Sequence, residues 1–452
     1  MMTNIPQQQP LTSIAILGLG RSGRAVLDKA RALDIAVICY DDSNAENKSE
    51  IILQTPEDWP WDKLDAVVIS PGIPHEFPVP HPAVHLANHH NVAVISEVEF
   101  ALRTSPQGRW VAITGTNGKS TTTALTGHIL RQAGKTAVIG GNIGAPVTSL
   151  PEQTEDSIAV IELSSYQLET TPSLRAAVRV ILNITPDHLD RHGGWDGYVS
   201  AKQAILDSAT KDELVILGPG QPLDDIAADQ QHKTRIIRLD DDCLAEEDRQ
   251  KAQAGNPALQ GGHNQQNCAA ARLICRELGL TDTQINDGIS SFSGLAHRLQ
   301  PAGRIEKIQF INDSKATNGE AAAKALASFT RIHWCAGGIA KEDGLSACEA
   351  FFAHVQHAYF YGESAPEFEQ AVAGKINSSC YDNLEKAVEA AVHSAAQTPT
   401  DEQVILLSPA AASFDQFTSF EARGDAFCQI AEQQIAQLHA KHPTPEKVAG
   451  HV

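Results

Sequence analysis

No apolar run in the 452 residues approaches the roughly 20 residues that a membrane-spanning helix needs, and the opening MMTNIPQQQP has no apolar signal core. A soluble protein of the cytoplasm is the expectation. The eight cysteines (Cys39, Cys243, Cys268, Cys275, Cys335, Cys348, Cys380, Cys428) show no C-x-x-C spacing, so neither a zinc site nor a disulfide framework is indicated, as suits a reducing compartment. Positive charge is scarce: 35 Lys and Arg stand against 55 Asp and Glu, a net charge of −20. That argues against a nucleic-acid partner, which needs a basic face to neutralise phosphates. A phosphorylated small ligand must then be met by local basic groups.

What is present is apolar β-branched runs alternating with helical stretches, the pattern of parallel sheets covered by helices. The length suits three α/β domains, read as 1–98, 99–302 and 303–452: Rossmann-like, then a central P-loop ATPase-like parallel sheet, then Rossmann-like again. The seams are expected near 97–107 and 301–304, where periodicity breaks. The first unit opens with the strand SIAIL, then Gly18-Leu19-Gly20-Arg21-Ser22-Gly23, a helix and a strand ending at Asp41. This has the form of a dinucleotide fingerprint, with an acid about 20 residues on to meet a ribose hydroxyl. Alone, it supports a helix N-terminus suited to a diphosphate and leaves a nicotinamide-dependent dehydrogenase open. Ser70-Pro71-Gly72 closes a third strand and reads equally well as a plain turn.

The densest chemistry lies in 109–123, RWVAITGTNGKSTTT. A β-branched run gives way to Gly115-Thr116-Asn117-Gly118-Lys119-Ser120-Thr121, and a helical pattern follows. A strand, a glycine turn and a helix start aim backbone N–H groups and the positive end of the helix dipole at one spot, which suits phosphate oxygens. Lys119 adds charge, and the Ser120 hydroxyl suits a nucleotide-bound magnesium. The strict phosphate-loop pattern wants a glycine where Ile113 stands, so the match is partial. Beyond it come the glycine cluster around Asn142, the strand SIAVIELSS with Glu162 at its carboxyl end, and AVRVILNITPDHLDRH with His188 beyond its end. A carboxylate at Glu162 suits a metal; on chemistry alone His188 is a transition-metal ligand, a general base or an inconsequential loop residue. WDGYVSAKQAIL reads as an amphipathic helix with Lys202 on its solvated face. The polar run 224–253 reads as a surface excursion without chemistry. Asn264 and Asn267 lie within one helical turn, either to meet an adenine edge or to cap the helix. In the third unit, a strand at 305–311 ends in Asn312-Asp313-Ser314-Lys315-Ala316-Thr317-Asn318, Lys341 follows the strand RIHWCAGG, and EQVILLS closes on PAAASFDQF. The tail from His439 onward is expected to fray.

These stretches together resemble the Mur ligases, the amino-acid-adding enzymes of peptidoglycan synthesis. GTNGKST, IELSSYQLE, NITPDHLDRH, GGHNQQN, HR at His297 and NDSKATN occur in that family's order. SSYQLE, DSKATN and SPAAASFDQFTSFEARG are most similar to its glutamate-adding branch. The resemblance implies ATP, Mg2+ at two sites with Mn2+ as an alternative ion, and the substrates UDP-N-acetylmuramoyl-L-alanine and D-glutamate, handled by a monomer. It implies that the loop from Gly115 to Thr121, with Asn264, Asn267, Arg298, Asp313 and Lys315, binds ATP. Ser120, Glu162, His188 and Lys202 would serve the metals, with Lys202 carbamylated and therefore anionic, and Lys119, His188 and Lys202 would be catalytic. Arg21, Ser22, Asp41, Gly72 and Asn142 would meet the uridine-linked substrate, and Thr317, Lys341, Ser413 and Phe420 the D-glutamate. One departure stands out: Asp42-Ser43 occupies the place of a Thr-Arg pair, so a compensating basic residue such as Arg21 is needed near the diphosphate. Another Mur ligase, a folylpolyglutamate synthase and a nucleotide-binding regulator without turnover are the competing readings.

Overall fold

The computed structural model describes residues 10–42, 53–105, 107–230, 232–239, 256, 259, 262–341, 344–397 and 402–441, with the side chains of residues 262, 263 and 441 outside that description. The chain is a mixed α/β protein with parallel sheets, divided into two compact units, 1–292 and 293–452. Among the described residues no helix is long and apolar enough to cross a membrane.

The first unit carries two sheets. Strands β1 (Ser13–Leu17), β2 (Ala36–Tyr40), β3 (Ala66–Ile69) and β4 (Ala93–Ser96) pair in the order β2-β1-β3-β4, all parallel, with helices α1 (Arg21–Ala32), α2 (Pro82–His89) and α3 (Glu97–Thr104) between or after them. Register sets Leu17 beside Tyr40 and Ile69, so the glycine turn, Asp41 and Ser70 share one edge. The chain reverses direction across β1, which makes that edge the crevice where open α/β sheets take ligands. The second sheet contains β5 (Arg109–Thr114), β6 (Ala137–Gly141), β7 (Ile158–Glu162), β8 (Val178–Ile181), β9 (Leu214–Leu217) and β10 (Arg235–Arg238) in the order β10-β9-β8-β5-β7-β6, again all parallel. Its helices are α4 (Lys119–Gln132), α5 (Ser165–Glu169), α6 (Trp195–Gln203), α7 (Gln221–Gln230), α8 (Gly262–Glu277) and α9 (Asp282–Ser291). Val111 and Ile113 pack into one core with Leu125, Ile129 and Ile274, while Trp110 and Ala112 face a second core with Leu168 and Tyr198. Burial on both faces is why these strands read as nearly continuous apolar runs. Ile113 pairs with Glu162 and Thr114 with Ile181, which aligns the phosphate-loop candidate with the ends of β7 and β8.

The second unit holds β11 (Gln300–Ile305), β12 (Ile308–Asn312), β13 (Ile332–Gly337), β14 (Ile339–Ala340), β15 (Val355–Tyr361), β16 (Ser378–Tyr381), β17 (Gln403–Leu407) and β18 (Ala411–Ala412). Its main sheet runs β11-β12-β17-β13-β15-β16, parallel except for the β11/β12 hairpin, and β14 and β18 form a small antiparallel ribbon. Helices α10 (Gly319–Ala327), α11 (Ala365–Val372), α12 (Leu384–Ala396) and α13 (Phe420–Lys441) complete it.

Three sequence expectations change. The strand expected at 305–311 is a hairpin turning at Glu306, and β11 runs through 301–304, where a seam was expected; the compact units part at residue 292. Pro301 and Gly303 interrupt the apolar alternation but not the strand, because β11 lies at the sheet edge and its register shifts between these two residues. The other break in pattern, 97–107, begins with α3, capped by the Ser96 side chain on the Glu99 amide. Of 224–253, the described part adds the end of α7 and the edge strand β10, while 240–253 and the tail beyond Lys441 lie outside the described residues.

Candidate active site

The turn after β5 is built on two glycines. Gly115 leaves the strand at φ 152° and Gly118 caps α4 at φ 84°, where a Cβ would come within 2.3 Å of Asn267 Oδ1. Only glycine satisfies both the angle and the space at Gly118. Asn183, just past β8, fixes the loop: its carbonyl accepts the Thr116 amide at 2.9 Å and its Oδ1 accepts the Asn117 amide at 2.8 Å. Thr116 Oγ1 accepts the Thr185 amide at 3.0 Å and meets the Tyr198 hydroxyl at 3.0 Å. The first-turn amides of α4 have no acceptor within their own helix, as at any helix start, and Ser120 and Thr121 are largely buried there. Lys119 folds back over the loop, its Nζ donating to the carbonyls of Gly115 at 2.8 Å and Thr116 at 2.9 Å.

Lys202 converges on the same point. It is 2% exposed, and its Nζ donates to the Gly115 carbonyl at 2.9 Å and lies 4.7 Å from the Tyr198 ring centre. The solvated face expected from the helical pattern is therefore wrong for this lysine: α6 turns it into the protein. Burial, and then the charge of Lys119, push the amine down to about 7, against the pull of Asp187 and Glu162. Glu162 is 2% exposed at the end of β7; Oε1 accepts the Asn142 side-chain amide at 2.7 Å, and the Asn142 backbone N–H donates to the Glu162 carbonyl at 2.9 Å. Its other oxygen, Oε2, is buried with no hydrogen-bond partner among the described residues. An orphaned carboxylate oxygen at a phosphate-loop edge fits a hard divalent cation. Among the described residues no group of three His, Cys, Asp or Glu side chains is placed to hold a metal alone, so such a cation would complete its shell with hydroxyl, water or ligand oxygens. His188 takes the left-handed conformation at φ 50°, with its side chain 56% exposed and Nε2 3.6 Å from Asp187 Oδ2.

Several residues with no role assigned from the sequence position this edge. His192 is buried between Ser165 and Glu169, its Nε2 2.9 Å from Ser165 Oγ and its Nδ1 2.8 Å from Glu169 Oε1. Arg191 donates to the carbonyls of Phe77 at 2.7 Å and Ile73 at 3.0 Å, and its guanidinium lies 4.7 Å from the Tyr166 ring centre. These contacts tie the loop carrying His188 to α5 and to the loop after β3. The motif NITPDHLDRH contains both residues, yet pairing distances across the fold are not written in it. Asn267 is buried in α8 and turns inward: Oδ1 accepts the Thr122 hydroxyl at 3.2 Å and Nδ2 donates to Asn264 Oδ1 at 2.9 Å.

On the first sheet, Gly18 sits at φ 89° against Ser70 and Ile73, and a Cβ on Gly23 would fall 1.8 Å from the Gly18 carbonyl. Asp41 is largely buried and its Oδ2 accepts the Leu19 amide at 2.5 Å, so it braces the glycine turn. Arg21, the first residue of α1, donates to the Gly144 carbonyl, and Ser22 follows it in the first turn. Gly72 is exposed with open space where a side chain would stand.

In the second unit, the strand-end residues are organised by Arg423, which lies in the stretch SPAAASFDQFTSFEARG but had no role assigned from the sequence. It is fully buried and donates to Ser314 Oγ at 3.0 Å, the Ser314 carbonyl at 2.9 Å, the Gly337 carbonyl at 3.2 Å and the Ala411 carbonyl at 3.1 Å. Asp313 is buried, accepting the Leu299 amide at 3.1 Å and the Ser408 hydroxyl at 2.9 Å; burial raises its carboxyl to about 7 despite those bonds and the charge of Arg298. Lys315 Nζ lies 5.8 Å from the Phe420 ring centre, and the Phe420 carbonyl accepts the Ser314 hydroxyl at 2.8 Å. The Thr317 amide donates to the Lys315 carbonyl at 2.9 Å, Ser413 is buried beyond β18, and Lys341 is exposed beyond β14.

A family model described as the Mur ligase middle domain matches residues 113–275, and one described as the Mur ligase, glutamate ligase domain, matches 297–411. The chain is 40% identical over 438 residues to the UDP-N-acetylmuramoylalanine–D-glutamate ligase of Paramagnetospirillum magneticum, covering 93% of this chain and 96% of that relative. To the ligase of the same name from Caulobacter vibrioides it is 40% identical over 456 residues, with 92% and 94% covered. Among solved structures, the UDP-N-acetylmuramate–alanine ligase of Thermotoga maritima matches with a TM-score of 0.57 at 16% identity, covering 93% of this chain and 99% of that one. MurF from Acinetobacter baumannii matches with a TM-score of 0.56 at 15% identity, covering 91% and 98%. At such identities the structures bear on the fold alone.

Proposed function

The chain belongs to the Mur ligases, and on that premise we propose that it joins D-glutamate to the L-alanine carboxylate of UDP-N-acetylmuramoyl-L-alanine, converting ATP to ADP and phosphate. The observation that carries the site assignment is the meeting of two lysine amines on one carbonyl, Gly115, at the edge where Glu162 keeps an unpartnered oxygen.

Amide formation of this type begins with attack of the substrate carboxylate on the γ-phosphate of ATP, giving an acyl phosphate and ADP. The amine of D-glutamate then attacks the acyl carbon, and phosphate leaves. Two anions must approach each other in the first step, so the protein's task is positioning and neutralisation. Lys119 and the first-turn amides of α4 would meet the phosphates. Glu162 and Ser120 would hold one Mg2+, and His188 with Lys202 the second; when bound, the ions supply positive charge against the two anions. An amine near pKa 7 is partly neutral at physiological pH, and it can add carbon dioxide to form a carbamate with loss of one proton. That chemistry turns Lys202 from a cation competing with Lys119 into an anionic oxygen ligand. Asn142 would act by fixing Glu162, and Asp41 by fixing the glycine turn that faces the uridine diphosphate, with Arg21, Ser22 and Gly72 at its rim. We carry over Asn264, Asn267, Arg298, Asp313 and Lys315 to the nucleotide and Thr317, Lys341, Ser413 and Phe420 to D-glutamate. On the same reading, 1–98 is a Rossmann-like domain, 99–292 a P-loop ATPase-like domain and 293–452 a second Rossmann-like domain.

Lys119→Ala is expected to lower turnover at least about 10²-fold, the scale of losing one preorganised charge contact, measured as D-glutamate-dependent ADP release. Retained turnover would remove Lys119 from the phosphate site. Lys202→Ala should lose activity and regain part of it with added short carboxylates; full activity without them would refute the carbamate.

A further inference from the structure

We infer that Asp42, aimed by His81, is the carboxylate that holds the ribose of the uridine-linked substrate, while Asp41 serves the protein. The inference rests on the ligase reading above and deepens its nucleotide site. In Rossmann-like sheets an acid at the end of the second strand accepts a ribose hydroxyl. Two acids follow β2, and the structure divides their work. Asp41 is 8% exposed and its Oδ2 takes the Leu19 amide at 2.5 Å. Asp42 is outward, its side chain 61% exposed, and is nonetheless held in place: His81 Nε2 lies 3.2 Å from Oδ2 and 3.4 Å from Oδ1.

The histidine's proton can be assigned by chemistry. His81 is the N-cap of α2, and its Nδ1 accepts the Ala83 amide at 3.1 Å. Nδ1 must therefore present a lone pair, which leaves the ring proton on Nε2, where it donates to Asp42. The imidazole is itself fixed, 12% exposed, with the Tyr40 ring 6.3 Å away between centroids. A carboxylate so oriented keeps further acceptor lone pairs turned to solvent at the ligand edge of the sheet. It offers acceptors only, which suits the hydroxyl donors of a ribose. His81 is a positioning residue, since it touches Asp42 and not the nucleotide.

The test is calorimetric titration of the full chain with UDP, 2′-deoxy-UDP and 3′-deoxy-UDP, for wild type, Asp42→Ala and His81→Asn. Wild type should bind one deoxy analogue about tenfold more weakly than UDP, and Asp42→Ala should bind UDP about tenfold more weakly with no further loss for that analogue. Asp42→Ala should also raise KM for the uridine-linked substrate more than it lowers kcat. His81→Asn keeps a capping side chain but cannot reach Asp42; it should weaken UDP about threefold with unchanged melting temperature. Equal binding of all three nucleotides by wild type, or unchanged UDP affinity in Asp42→Ala, would overturn the inference. Failure of the underlying ligase reading shows separately, as absence of D-glutamate-dependent ADP formation by wild type.

Discussion

Lys202 titrates near 10.5 in an exposed chain and near 7 when folded, because its amine is buried beside Lys119. Between those values the unfolded chain binds more protons than the folded one, so this residue makes stability rise with pH from about 7 to 10.5; below 7 the penalty for a buried charge is fully present. Lys202→Met keeps the length and removes the charge. It should raise the melting temperature at pH 6, by the equivalent of roughly 1–3 kcal/mol, with the gain fading toward pH 10; a gain independent of pH would contradict the buried-amine assignment. Asp313 has the opposite sign. Its carboxyl moves from 3.8 up to about 7, so the folded state holds more protons across that window and wild-type stability falls as pH rises through it. Asp313→Asn should therefore gain on wild type between pH 4 and 7, read by denaturant midpoints at a series of pH values.

Elements were legible where burial is two-sided. Runs such as AVVI in β3 and VAIT in β5 are strands packed between helices, and their composition says so. The glycine turns were legible too, and steric limits explain them: Gly23→Ala would drive a methyl into the Gly18 carbonyl and is expected to cost about 3 kcal/mol, measured by thermal unfolding. The β11/β12 hairpin was not legible, because Pro301 and Gly303 resemble a linker, and nothing local announces that an edge strand tolerates both. At the candidate site, the strand, glycine turn and helix from β5 to α4 and the strand-end place of Glu162 could be read from motif and position. The burial of Lys202 could not be read from residue spacing, since a helical lysine defaults to solvent and only the placement of α6 beside α5 and the loop after β5 turns it inward. The contacts of Arg423 and of the Ser165–His192–Glu169 chain were hidden for the same reason, although the quoted motifs contain these residues: each joins segments that the sequence holds far apart.

At the scale of the whole molecule, each compact unit carries its own parallel sheet core, and chemistry-bearing side chains gather where strands end, as open α/β sheets require. Membership of the Mur ligases removes the dehydrogenase that the first glycine turn left open, and Asp41, the acid of the dinucleotide-like fingerprint, braces that turn through the Leu19 amide. The net charge of −20 does not exclude an anionic ligand at the glycine turn before α4, because Lys119 folds over that turn and brings a positive charge to it. The most direct measurement is phosphate release from ATP with UDP-N-acetylmuramoyl-L-alanine and D-glutamate, set beside L-lysine, diaminopimelate and folate substrates. Release that requires both the uridine-linked substrate and D-glutamate is the predicted result; no release with that pair, or equal release with a diamino acid or a folate, would contradict it.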